Sequence, residues 1–146
     1  MDPTERTTQN GTGGNPAAGR DSLDFAVECA RLLRADKCEH VVVLDVSDLS
    51  DVMDYVIIAT GTSDRQMNST LDDLEELGDE SGRAAYRTSK DDRSTWLLAD
   101  FVDVVVHLFE PNTRAFYDLE MLWGDARRVS WRGAGEEDRG GDGASA

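Results

Sequence analysis

The chain has 146 residues, 39% of them hydrophobic, and carries 30 acidic against 15 basic side chains for a formal net charge of −15. That length suits one domain and excludes a multi-domain machine; the apolar share supports a real core, and no apolar run approaches the roughly 20 residues that cross a bilayer. A surface of this sign repels phosphate, which makes nucleic acid a poor primary partner and basic proteins better ones, beside the plainer reading that acidity keeps the chain soluble.

Residues 1–20 are rich in Gly, Thr and Asn without periodicity and are expected to form a disordered arm. Residues 132–146 hold no large apolar side chain and are expected to form a disordered acidic tail. The folding unit is expected at 21–131, where 24 acids and 11 bases place −13 of the −15 net charge. Within it, Asp21 or Ser22 can cap a first helix, whose Leu23, Ala26, Val27, Ala30 and Leu33 recur at 3.6-residue spacing. Residues 40–46 (HVVVLDV) read as a buried β-branched strand and 55–60 (YVIIAT) as a second, across a polar connection at 47–54. Gly61 ends that strand. Thr62, Ser63 or Asp64 then caps a second helix with Met67, Leu71, Leu74 and Leu77 on its apolar face, closed by Gly78. A short strand at 84–88, a polar loop at 89–93 and a hairpin of 95–99 with 104–109, joined through 100–103, follow. A last helix beyond Pro111 turns Ala115, Phe116, Leu119 and Leu122 or Trp123 inward. This order predicts an α/β domain with a mixed sheet of about five strands and flanking helices; periodicity does not yield the strand order.

Groups that carry chemistry are few. The two cysteines, Cys29 and Cys38, are too few for a disulfide framework, and Met1-Asp2-Pro3 opens neither a basic nor an apolar leader, so a cytoplasmic, reducing location is expected. Candidate metal ligands are Cys29, Cys38, His40 and His107, but Cys38-x-His40 lacks a second tight pair, and no metal site is expected. His107, with Asp100 and Asp103 nearby, has no nucleophile placed to use it as an acid–base group. Gly61-Thr62-Ser63 puts backbone N–H groups at a helix start, where an anion can bind. It lacks the Walker lysine and the spaced glycines of a dinucleotide loop, and Asp64 opposes a phosphate, so a tight turn with a helix cap is the preferred reading. The segment 96–109 gathers a tryptophan, a phenylalanine and two carboxylates around one hairpin. Either the aromatics are core and the acids turn residues, or strand alternation turns part of the set outward as a protein-binding surface with apolar anchors and a charged rim.

Four blocks carry a resemblance to a known family. They are Leu44-Asp45-Val46 with Leu49-Ser50, then 54–66 (DYVIIATGTSDRQ), 96–109 (WLLADFVDVVVHLF) and 114–126 (RAFYDLEMLWGDA). In order and spacing across 21–131, the sequence resembles the ribosomal silencing factor family, also called Iojap-like. The resemblance implies a nucleotidyltransferase-like fold without its catalytic acids, so no catalytic residue and no cofactor. It implies a translational repressor that binds the large ribosomal subunit through a basic ribosomal protein at the intersubunit face, the universally occurring protein fourteen of that subunit. Occupying that face blocks joining of the small subunit. It implies a homodimer when free, and a contact surface at Trp96, Leu98, Asp100, Phe101, Asp103 and His107, with Trp96 as aromatic anchor and both acids facing cations of the partner. The chain departs from the family pattern at Val102, where relatives usually carry glycine, and at Arg127, often proline. The alternatives are a large-subunit assembly factor using the same surface and an active nucleotidyltransferase, which needs clustered metal-binding carboxylates near Gly61.

Overall fold

The structure, a computed structural model, describes residues 16–132. Of the arm expected at 1–20, residues 1–15 lie outside the described residues and 16–20 belong to the first helix instead; of the tail expected at 132–146, residues 133–146 lie outside the described residues. Helix α1 spans Pro16–Ala35, strand β1 Glu39–Asp45, β2 Tyr55–Thr60, helix α2 Asp64–Glu80, β3 Arg87–Lys90, β4 Trp96–Asp100 and β5 Val104–Phe109. Two short helices, α3 at Pro111–Tyr117 and α4 at Leu119–Leu122, lead to the two-residue strand β6 at Arg127–Arg128. The α/β expectation with a mixed sheet holds, with six strands in the order β3-β4-β5-β2-β1-β6. The central pair β2 and β5 is parallel and every other pair antiparallel.

The two central strands match the predicted bounds because they are buried along nearly their whole length, with His107 the partly exposed position of β5, so apolar residues run almost without interruption. One face of the sheet presents Val41, Val43, Ile57, Ala59, Leu97, Ala99, Val104, Val106 and Leu108 to α1 and α2, which supply Phe25, Ala26, Cys29, Ala30, Leu33, Met67, Leu71 and Leu74. The opposite face presents Val42, Leu44, Val56, Ile58 and Phe109, covered by Leu119, Trp123 and Ala126 of the C-terminal segment. That segment is held down by Arg114. Its Nη1 donates to the His40 carbonyl and to Thr60 Oγ1, both at 2.8 Å, while Nη2 pairs with Glu120 at 2.5 Å. The His40 carbonyl is available because β1 bulges between Glu39 and Val42, with His40 at a φ of 50°. Beyond β6 the chain stays along the outer edge of β1: Val129 N donates to the Val43 carbonyl at 2.8 Å, and the buried Trp131 donates Nε1 to the Val41 carbonyl at 3.2 Å.

Several expectations are corrected. The first helix begins at Pro16, so neither Asp21 nor Ser22 caps it; Ser22 is buried within α1 and donates its hydroxyl to Asp103 Oδ2 at 3.2 Å. Gly78 does not close α2. A Cβ there would lie 2.6 Å from the Phe101 ring and 2.6 Å from the Arg83 carbonyl, so its role is close packing, and the left-handed turn falls to Gly82 at a φ of 74°. The third strand lies at 87–90 rather than 84–88, and it takes in residues read as loop, because pairing with β4 in the register Arg87↔Asp100 sets its bounds. The last helix is two helices broken at Asp118, which adopts a left-handed φ of 46°. The break turns Ala115, Phe116 and Leu122 outward, while Leu119 and Trp123 face inward as predicted.

Candidate partner-binding surface

The hairpin of β4 and β5 is closed by Phe101 N donating to the Val104 carbonyl at 2.9 Å. Asp100 Oδ1 accepts from Val102 N at 2.8 Å, an Asx-type turn that holds Val102 at a φ of 77°. This is where relatives are expected to carry glycine; valine adopts the same left-handed conformation and its side chain stands exposed.

Strand alternation decides which predicted contact residues come together. Trp96, Leu98 and Asp100 share the face away from α1 and α2, opposite Phe109, His107 and Val105 respectively, and all three are partly exposed. Trp96, Leu98, Asp100 and His107 therefore form one group. Phe101 does not join it: the turn reverses its direction, and its ring is buried edge-on against Phe25 at 4.9 Å. Asp103 does not join it either. Its carboxylate accepts from Ser22 and lies 3.5 Å from Arg83 Nη1, tying the hairpin to α1 and to the end of α2.

Trp96 is packed rather than projecting. Its ring lies 4.9 Å from Phe109 and 4.6 Å from Tyr117, and its Nε1 donates to His107 Nδ1 at 3.1 Å. Burial pushes the His107 imidazolium down to about 4, against the opposing pull of the Asp100 charge, so the ring is neutral at pH 7. Beside this pair an open pocket of about 520 Å³ is lined by Leu98, Asp100, Val105 and His107, together with Val52 and Met53 of the β1–β2 connection and Tyr86, Arg87 and Val102. Val52, Tyr86 and Val102 are 72%, 72% and 52% exposed, an apolar rim that sequence reading missed. Val52 lies in a connection that reads as polar, and Tyr86 precedes a strand whose bounds only its partner sets. Val105 was detectable, since it faces Asp100 across the hairpin.

The other sequence candidates resolve as structural groups. Ser63 caps α2, accepting from Gln66 N at 3.1 Å, while Gln66 Oε1 accepts from Thr62 N at 2.9 Å, so the first turn is satisfied internally. Gly61 is required because a Cβ would lie 2.1 Å from Met67 Cγ. Cys29 and Cys38 are free and buried; burial raises both thiols, that of Cys38 up to about 11, so neither is a thiolate at neutral pH. Among the described residues no three His, Cys, Asp or Glu side chains are grouped to hold a metal ion.

Comparison with known proteins agrees with this architecture. Residues 20–145 match the family described as "Ribosomal silencing factor during starvation". Ribosomal silencing factor RsfS of Bacillus subtilis is 38% identical over 90 residues, which cover 62% of this chain and 76% of that one. Protein Iojap, chloroplastic, of Arabidopsis thaliana is 36% identical over 110 residues, covering 75% of this chain and 45% of the plant protein. A crystal structure of a Chromobacterium violaceum protein superposes with a TM-score of 0.65 at 30% identity, over 80% of this chain and 95% of that one. Sequence blocks, sheet order and superposition converge: the chain belongs to the ribosomal silencing factor, or Iojap-like, family, a family of translation-regulating factors and not of enzymes.

Proposed function

We propose that this silencing factor acts by steric block, docking on the large ribosomal subunit through a basic ribosomal protein at the intersubunit face, protein fourteen of that subunit, and so preventing the small subunit from joining. The observation that carries this reading is the open apolar pocket on the hairpin face, ringed by Val52, Tyr86 and Val102 and flanked by the carboxylate of Asp100. An apolar centre beside acidic groups suits a basic protein partner. A block by occupancy needs only that surface. Trp96, Leu98, Asp100 and His107 are the contact residues in this reading, with Trp96 as the packed backing of the site. Phe101 and Asp103 contribute by shaping the hairpin. The factor works in the cytoplasm, its folding unit is the described core without the flanking arm and tail, and it is a homodimer when free, which sedimentation equilibrium measures directly.

The test is sedimentation with separated large subunits, small subunits and joined ribosomes. Co-migration with the large subunit alone, and loss of subunit joining on addition of the factor, is the expected result. Absence of binding at moderate salt overturns the reading. A second reading, a large-subunit assembly factor using the same surface, is favoured by the similarity to mouse "Mitochondrial assembly of ribosomal large subunit protein 1", 28% identical over 125 residues that cover 83% of this chain and 55% of that one. Accumulation of immature large subunits on removal of the gene, with subunit joining unaffected by the factor, would select it.

A further inference from the structure

The imidazole of His107, which lines the open pocket on the hairpin face, is an oriented donor. Trp96 Nε1 can only donate, so His107 Nδ1, its acceptor at 3.1 Å, carries no proton. A neutral imidazole then holds its single proton on Nε2. That nitrogen has no hydrogen-bond partner among the described residues, and the side chain that carries it lines the open pocket. His107 lines the 520 Å³ pocket, whose other walls include Leu98, Val105, Val52 and Met53. Trp96 is packed, with its ring tilted against both Tyr117 and Phe109, and does not project from this surface.

Resting on the proposed docking function, the geometry points to a division of roles in which the basic ribosomal partner inserts one large apolar side chain into the Leu98–Val105–Val52 pocket and offers a carbonyl or hydroxyl oxygen to His107 Nε2–H. Charge argues for this occupant over a second acidic copy of the chain. Asp100 stands at the rim, and the β1–β2 connection that supplies Val52 and Met53 also carries Asp48, Asp51 and Asp54. Among the described residues Arg87 is the one cation lining the pocket, and it is already drawn to Asp100 at 3.5 Å. A partner side chain flanked by lysine or arginine is matched by both the pocket and its rim, while a neutral acceptor is matched by the imidazole. His107 is thus a specificity-determining contact, and Trp96 a positioning residue acting through it.

The test compares binding of the full-length chain and its variants to purified large subunits, with thermal unfolding as the control for folding. Wild type is expected to bind. Leu98→Lys, which fills the pocket with a cation, is expected to lose at least tenfold in affinity while unfolding near the wild-type temperature. His107→Leu is expected to lose about tenfold, and His107→Gln, whose amide can accept from Trp96 and donate onward, to recover most of that loss. In parallel, ¹⁵N spectra of the free protein at pH 7 should show the Nε2–H tautomer of His107. Binding by wild type that is unchanged in Leu98→Lys, equal losses in His107→Gln and His107→Leu, or an Nδ1–H tautomer would each overturn this division of roles while leaving the docking function standing. Absence of wild-type binding would overturn both.

Discussion

Leu97 and Leu98 are neighbours in β4 with the same side chain and opposite surroundings. Leu97 points at α1 and α2 and is fully buried, whereas Leu98 points at the hairpin face and lines an open pocket. The same division runs through the whole sheet. One face is sealed by two helices of 20 and 17 residues, and the other only in part, by two short helices of 7 and 4 residues that reach Trp96 and Phe109 and stop there. What the short cover leaves open is the face on which His107, Leu98 and Asp100 lie. One face therefore supplies stability and the other recognition, from alternate residues of the same strands.

Leu97→Ala breaks that division most strongly. It opens a cavity in the helix-covered core and should cost roughly 3–5 kcal/mol, read as a fall in the denaturation midpoint. Leu98→Ala, by contrast, should cost about 1 kcal/mol or less, and equal losses at the two sites would refute the distinction between faces.

The next largest effect is set by pH. The folded-state value for His107 lies near 4, below the unfolded value of about 6.5. The unfolded chain therefore takes up a proton that the folded chain does not. Stability should be complete above pH 6.5 and fall as pH drops toward 4, by roughly 3 kcal/mol at most. His107→Gln should flatten that interval of the stability profile; an unchanged profile would place the titration elsewhere. Truncation of the clasp comes third. Arg114→Ala leaves the bulge carbonyl of His40 and the carboxylate of Glu120 without their donor and should cost about 2 kcal/mol. Protease cleavage within 111–126 should quicken before cleavage within α1 or α2 does. The smallest effect is a gain: Val102→Gly relieves a β-branched residue held at a φ of 77° and should raise stability by about 1 kcal/mol. A drop instead would show that the valine side chain contributes more at the rim than its backbone costs.

Legibility in the sequence followed the same division. β2 and β5 were readable to the residue because largely buried central strands show as nearly unbroken apolar runs. The cap of α2 was readable to within three residues, Thr62 to Asp64, because it is satisfied locally by Ser63 and Gln66. Features set by distant partners were not. Ser22 resembles a cap in sequence, yet it sits inside α1, where it donates its hydroxyl to Asp103, 81 residues away. Gly78 resembles a helix stop but makes room for Phe101. In the candidate site, the resemblance implied one surface of six residues; strand alternation in the structure puts Trp96, Leu98 and Asp100 on one face and ends at the turn, which sends Phe101 into the core. Arg114 was visible only as part of a family block, since nothing in its neighbourhood announces a contact with His40, 74 positions earlier.

The strip of chain that ends in Trp131 occupies the outer margin of β1, and the opposite margin, β3, is four residues long with arginine at one end and lysine at the other. A sheet bounded in this way offers little template for main-chain pairing with a foreign strand. Whatever the hairpin face recognises must be read through its side chains, so partner choice can be retuned one residue at a time, without a change in sheet register and without exposing a sticky edge to other copies of the chain.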